Sequence, residues 1–218
     1  NDVSLSLPDA GVMALVGPEG GGKTTLMQIL AGLTAPSSGT VSMDGRALPA
    51  REALERSFMV SPSHYFGELF GSSLVTYAQL RPTWDQEIFE RCLERFETVP
   101  LFLHWKAVRR FSRADIAILL GSIALASGAP VTLLDEIQVP LEAVAREGFY
   151  EEIRALAAEA AAGRRPRRLF VLSSSAACDL DTVADEVIVV TGGEIAVRES
   201  VDNFRQRTGV LVGHGADV

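Results

Sequence analysis

The sequence predicts an α/β fold: a mostly parallel sheet with helices on both faces, an antiparallel β edge and an inserted helical subdomain. Three observations carry that prediction. Short apolar runs at Val12–Val16, Val131–Leu134, Leu169–Leu172 and Glu186–Val190 alternate with helical stretches. A glycine-rich turn joins the first of these runs to a helical pattern, Thr25 to Ala31. A long segment of helical spacing, from about Leu69 to Val108, interrupts the alternation midway.

Taken in order, Val3 to Leu7 alternates like a strand, and Pro8-Asp9-Ala10-Gly11 turns the chain into Val12–Val16. The helix after the glycine-rich turn runs to Gly32. Thr40 to Met43 reads as a strand closed by the tight turn Asp44-Gly45. Ser57 to Val60 is a short strand that enters a loop at Ser61-Pro62-Ser63. Trp84, Ile88, Phe89, Cys92, Leu93 and Phe96 fall on one helical stripe, with Arg81-Pro82-Thr83 as the break ahead of it. These aromatics are read as core. Ser112 caps the apolar helix Ile116 to Ala126, which Gly128-Ala129-Pro130 stops. Leu141 to Ala162 is a long Ala-rich helix. Thr191-Gly192-Gly193 makes a hairpin to Glu194–Val197, and Ser200 caps a terminal helix.

Bulk composition narrows the function classes. The 218 residues suit one α/β domain with an insertion. A net charge of −8, from 20 basic and 28 acidic residues, argues against a dedicated nucleic-acid binder, so no nucleic-acid partner is expected. The basic run Arg164-Arg165-Pro166-Arg167-Arg168 is read as a solvated connection between helix and strand. Cys92 and Cys178 form no pairing framework, which points to a reducing, cytoplasmic setting. His64, His104 and His214 lack metal-ligand spacing, and no secretory signal opens the sequence. The longest apolar run is too short to span a bilayer.

The chemistry sits in Gly17-Pro18-Glu19-Gly20-Gly21-Gly22-Lys23-Thr24, followed by Thr25. It fits the G-x-x-x-x-G-K-[ST] pattern of a P-loop NTPase between a strand and a helix. Glycines let successive backbone N–H groups turn toward phosphate oxygens. Lys23 reaches the β- and γ-phosphates, and the Thr24 hydroxyl is a ligand for Mg²⁺. Val131-Thr132-Leu133-Leu134-Asp135-Glu136 is an apolar strand ending in two carboxylates. Strand C-termini face the ligand crevice in such sheets, so Asp135 is expected to hold Mg²⁺ and Glu136 to act as the catalytic base or to orient water. ATP and Mg²⁺ are the expected cofactors.

With the loop, Leu30-Ala31-Gly32-Leu33, Ser38-Gly39, Asp44-Gly45, the stretch 124–136 and the stretch 184–195 in this order, the sequence resembles the nucleotide-binding subunit of ATP-binding cassette (ABC) transporters. The resemblance covers nearly all of it. It implies one nucleotide-binding domain over 1–218, with a RecA-like core and β edge at 1–63 and 128–218 and a helical signature subdomain at 64–127. It further implies a second nucleotide-binding subunit, identical or different, and a membrane-spanning transporter subunit contacted through Ser61 to Leu80. The location is then cytoplasmic, peripheral on the inner face of the cell membrane. Arg81–Asp85 and Ala126–Pro130 resemble a branch that powers exporters.

Several family positions are altered. The signature aligns with Phe111-Ser112-Arg113-Ala114-Asp115, where only Ser112 is kept. Side chains at Arg113 and Ala114 crowd a backbone meant to approach phosphate, and Asp115 adds like charge, although Ser-x-x-Asp is also a helix capping box. The loop glutamine aligns with Ser63 and the γ-phosphate histidine with Ser175. The adenine-stacking aromatic aligns ahead of Asn1. Each lost charge-stabilising group costs about 10²–10³ in rate. Retained binding with slowed hydrolysis is therefore expected, with a non-hydrolysing clamp as the alternative. A soluble relative acting on ribosomes or DNA is a third, less favoured class.

Overall fold

The computed structural model describes residues 3–63, 69–96, 108–176 and 180–207. His64, His104, His214 and Cys178 lie outside these residues. Among the described residues the central sheet has six strands: β1 (Gly11–Val16), β4 (Ser57–Val60), β5 (Val131–Asp135), β6 (Leu169–Ser174), β7 (Glu186–Thr191) and β8 (Glu194–Ser200). Their order is β4-β5-β6-β1-β7-β8. Neighbours are parallel except β8, which returns antiparallel to β7 and forms one edge. A separate hairpin pairs β2 (Ser42–Met43) with β3 (Arg46–Ala47). Asp44 and Gly45 both take positive φ, 54° and 75°, the turn geometry whose twist matches a two-residue hairpin.

Alternation along β1 explains why both faces are covered. Val12, Ala14 and Val16 enter one buried cluster, Met13 and Leu15 the other. The second cluster is closed by Met27 and Ala31, from and just after α1 (Lys23–Leu30). The first is closed by α5 (Arg113–Ala126) and α6 (Ala143–Ala161). These two helices approach closely because Gly121 has no side chain: a Cβ there would stand 2.7 Å from the Phe149 ring.

Between β4 and β5 the chain forms α3 (Gly71–Gln79), α4 (Gln86–Arg95), a 3₁₀ turn (Val108–Arg110) and α5. Asp85 caps α4 by accepting from Ile88 N at 3.1 Å. The predicted stripe is core: Ile88, Phe89 and Cys92 are buried, and Trp84, Leu93 and Phe96 pack against them. Ser112 and Asp115 form the reciprocal capping box of α5, both bonds at 3.0 Å. The terminal helix α7 (Val201–Arg207) has its Asn203 N–H donating to Ser200 Oγ at 3.3 Å.

Three sequence expectations need correction. Val3–Leu7 is not a strand. Leu5 and Leu7 do pack on the second cluster, but among the described residues no neighbouring strand completes a ladder with them. A helix the sequence reading missed, α2 (Ala50–Arg56), precedes β4; it buries only Ala53, too little for a periodic signal. The basic run is not merely solvated. Arg168 is buried and donates to the carbonyls of Ala129 (3.1 Å), Leu125 (2.8 Å) and Ala124 (3.3 Å) and to Thr132 Oγ1 (3.0 Å). It thus satisfies the orphan carbonyls that end α5, where the helix dipole favours a cation. Burial still pulls its pKa down to about 10. Arg165 pairs with Asp85, Glu87 and Glu159.

Candidate functional site

The register of the parallel strands sets the site. Val16 stands beside Ser174, Asp135 beside Ser173, and Val60 beside Leu134. The loops that follow β1, β4, β5 and β6 therefore leave from one edge of the sheet, the carboxyl edge. Gly17–Gly22, Ser61–Ser63, Glu136 and Ser175 are all carried there.

Neighbouring strands and turns brace the glycine-rich loop through its backbone. Gly17 N–H donates to Ser174 O at 3.2 Å, and Gly193 N–H, from the β7–β8 turn, donates to Gly21 O at 3.0 Å. The fit is close enough that only glycine serves at Gly17, where a Cβ would stand 1.9 Å from Val190 O. Pro18, Glu19 and Gly20 are exposed at the loop's outer turn. Gly22, at φ 105°, leads into α1 without any side-chain cap. The first bond closing α1 runs from Leu26 N–H to Gly22 O at 2.9 Å. Among the described residues the N–H groups of Gly22, Lys23, Thr24 and Thr25 have no acceptor, which leaves a row of donors at the positive end of a helix.

Lys23 is buried, 5% exposed, and its ammonium donates to Gly17 O at 2.7 Å and Pro18 O at 3.0 Å. Glu136 Oε1 lies 3.7 Å from the same nitrogen. Thr24 Oγ1 donates to Asp135 Oδ2 at 2.9 Å. The predicted loop and the predicted carboxylates are thus one constellation: a row of N–H groups, one ammonium, one hydroxyl and two acids. Thr24 and Asp135 together offer hard oxygen atoms at a single point. That suits Mg²⁺, which takes one or two protein ligands and completes its shell with phosphate and water. Among the described residues no cluster of three or more His, Cys, Asp or Glu competes for a metal.

The positions that the resemblance marks as altered are not brought into this constellation. Ser63 and Ser175 stand exposed at the same sheet edge; among the described residues neither side chain bonds to Lys23, Asp135 or Glu136. Ser112, Arg113 and Asp115 are exposed and Ala114 is half-buried at the start of α5; Ser112 and Asp115 are engaged in their own capping box. Two residues escaped the sequence reading. Ser173 Oγ donates to Asp135 Oδ1 at 2.6 Å and accepts from Glu136 N–H at 2.9 Å. Gln138 Nε2 donates to Ser173 O at 2.9 Å. The available signal was the register of two apolar strands, which places a serine next to the first carboxylate.

Fold and site together define a P-loop nucleotide-binding α/β domain with a strand-end acid pair. The family model described as ABC transporter matches residues 1–138. The chain belongs to the ABC transporter family. It is 25% identical over 213 residues to the human phospholipid-transporting ATPase ABCA3, covering 95% of this chain but 12% of that protein. It is 31% identical over 164 residues to the Fe(3+) ions import ATP-binding protein FbpC of Photorhabdus laumondii, covering 72% of this chain and 46% of that one. The chain thus spans less than half the length of these curated relatives. A dimeric ATP-binding cassette bound to ADP and Pi superposes with a TM-score of 0.77 at 18% identity, over 92% of this chain and 89% of that one. Among the described residues, no helix is long and apolar enough to cross a membrane.

Proposed function

We propose that the chain binds ATP with Mg²⁺ on the Gly17–Thr25 loop and hydrolyses it slowly, driving a membrane-spanning partner that acts as an exporter. The observation that carries this reading is the meeting of Lys23, Thr24, Asp135 and Glu136 at one sheet edge. In this reading Lys23 grips the β- and γ-phosphates, the free N–H groups of Gly22 to Thr25 line the phosphate oxygens, and Thr24 and Asp135 hold Mg²⁺. The metal supplies Lewis-acid charge to the phosphoryl group when bound. Glu136 orients the attacking water or accepts its proton, once phosphate takes the place of Lys23's present partners.

The division into a core (1–63 and 128–218) and a helical subdomain (64–127) belongs to the same proposal. So do a second nucleotide-binding subunit and a peripheral place on the inner face of the membrane. Relatives that carry import in their names and a lipid transporter are both similar to this chain, so the reconstituted complex decides the direction of transport.

Calorimetry tests the site: Lys23→Ala should abolish ATP binding, and unchanged affinity would refute the assignment. Steady-state phosphate release from the membrane-reconstituted complex tests turnover. Glu136→Gln should reduce it by about 10² or more.

A second reading is favoured by the exposed Ser63 and Ser175, which leave Glu136 without the usual polar supports. Here ATP acts as a clamp that closes the pair without being split. Phosphate release equal in wild type and Glu136→Gln, with binding intact, selects the clamp.

A further inference from the structure

Ser173 is fully buried and sits between the two acids of the site. Its one hydrogen goes to Asp135 Oδ1 at 2.6 Å, which obliges a lone pair to receive Glu136 N–H at 2.9 Å. The order Glu136 N–H, Ser173 O–H, Asp135 carboxylate is thereby fixed in direction. Asp135 already receives Thr24 on its other oxygen at 2.9 Å, so its carboxylate is held at both ends and cannot rotate. Glu136 meanwhile has φ 52°, a left-handed conformation that a side chain with a Cβ adopts at a cost. The bond from its N–H to Ser173 helps hold it there, and that turn carries its carboxylate to within 3.7 Å of Lys23. Gln138, itself fully buried, ties the Ser173 carbonyl from the far side at 2.9 Å.

We propose that Ser173 is a positioning residue for both acids of the nucleotide site. Its hydroxyl aims Asp135 at the metal position and locks the Glu136 main chain so that the Glu136 carboxylate faces the phosphates. The proposal rests on the reading of this site as one for ATP with Mg²⁺.

The test measures ATP affinity by calorimetry as Mg²⁺ is titrated, together with melting temperature without nucleotide. Ser173→Ala should raise the Mg²⁺ concentration needed for half-maximal tightening by about tenfold or more, the usual penalty for removing a hydrogen-bond partner of a metal ligand. Ser173→Thr, which keeps the hydroxyl, should stay close to wild type. Should Ser173→Ala fail to fold, Ser173→Thr against Ser173→Val decides, since these side chains match in size and differ in the hydroxyl. A lowered melting temperature with an unchanged Mg²⁺ profile overturns the proposal, because Ser173 then only packs. ATP affinity that ignores Mg²⁺ in wild type overturns the metal assignment and this proposal together. Wild type that binds no ATP overturns the function itself.

Discussion

At the scale of single residues, burial decides which groups hold their protons. Cys92 is fully buried on α4, and burial first, then the Glu152 charge, pushes its thiol from 9.0 up to about 12. Between these values the unfolded chain carries a thiolate while the folded chain keeps its proton. The stability this contributes is complete below pH 9 and is lost as pH climbs toward 12, at no more than about 1.4 kcal/mol per pH unit. Urea midpoints measured from pH 8.5 to 11 should therefore fall more steeply for wild type than for Cys92→Ala. Equal slopes would remove Cys92 from the alkaline limb. The same burial makes Cys92 inert, so in a Cys178→Ser background a disulfide reagent at pH 8 should react only as the chain unfolds.

At the scale of elements, α4 is joined to α6 by an ionic seam. Arg91 donates to Glu152 at 2.7 Å, Arg95 reaches Glu151 at 2.6 Å and Glu152 at 3.5 Å, and Arg165 links Glu159 to the cap of α4. Glu152 is 1% exposed, so these partners take the place of water around its carboxylate. Glu152→Ala leaves Arg91 half-satisfied and should cost about 1–3 kcal/mol in urea unfolding, since a polar group loses its partner. Glu151→Ala, at the exposed end of the seam, should cost under about 1 kcal/mol. The seam also shows what a sequence conceals. The glycine-rich loop, the strand-end acid pair and the capping box at Ser112–Asp115 were legible because each is a local pattern with its own physical reason. Long-range partners were not. Nothing in Arg164–Arg168 says which guanidinium will meet the carbonyls ending α5, and nothing at Ser173 marks its place beside Asp135 until the strands are in register. Val3–Leu7 was over-read for the converse reason: alternation reports which residues are buried, whereas a strand requires a neighbour.

At the scale of the whole molecule, the helices inserted between β4 and β5 are built into the sheet's own core. Ala124, Leu125 and Ala126, at the end of α5, are fully buried. Arg168, just ahead of β6, holds the carbonyls of Ala124 and Leu125, while Asp85 N–H donates to Ala126 O at 2.8 Å and Thr83 Oγ1 to Ser127 O at 2.6 Å. The same β6 ends at Ser173 and Ser174, which touch the acid pair and the phosphate loop. One strand thus joins the inserted helices at one end to the glycine-rich loop and the acid pair at the other. Unfolding should accordingly be a single cooperative event, stabilised throughout by ligand at the loop. In a Trp105→Phe background the emission of Trp84, at the mouth of α4, should follow the same urea curve as far-ultraviolet circular dichroism. ATP with Mg²⁺ at a hundred times its dissociation constant should shift both curves together by about 2.7 kcal/mol, and neither in Lys23→Ala. If the Trp84 curve stays in place while the dichroism curve shifts, the inserted helices unfold apart from the sheet, and the mechanical link through β6 does not exist.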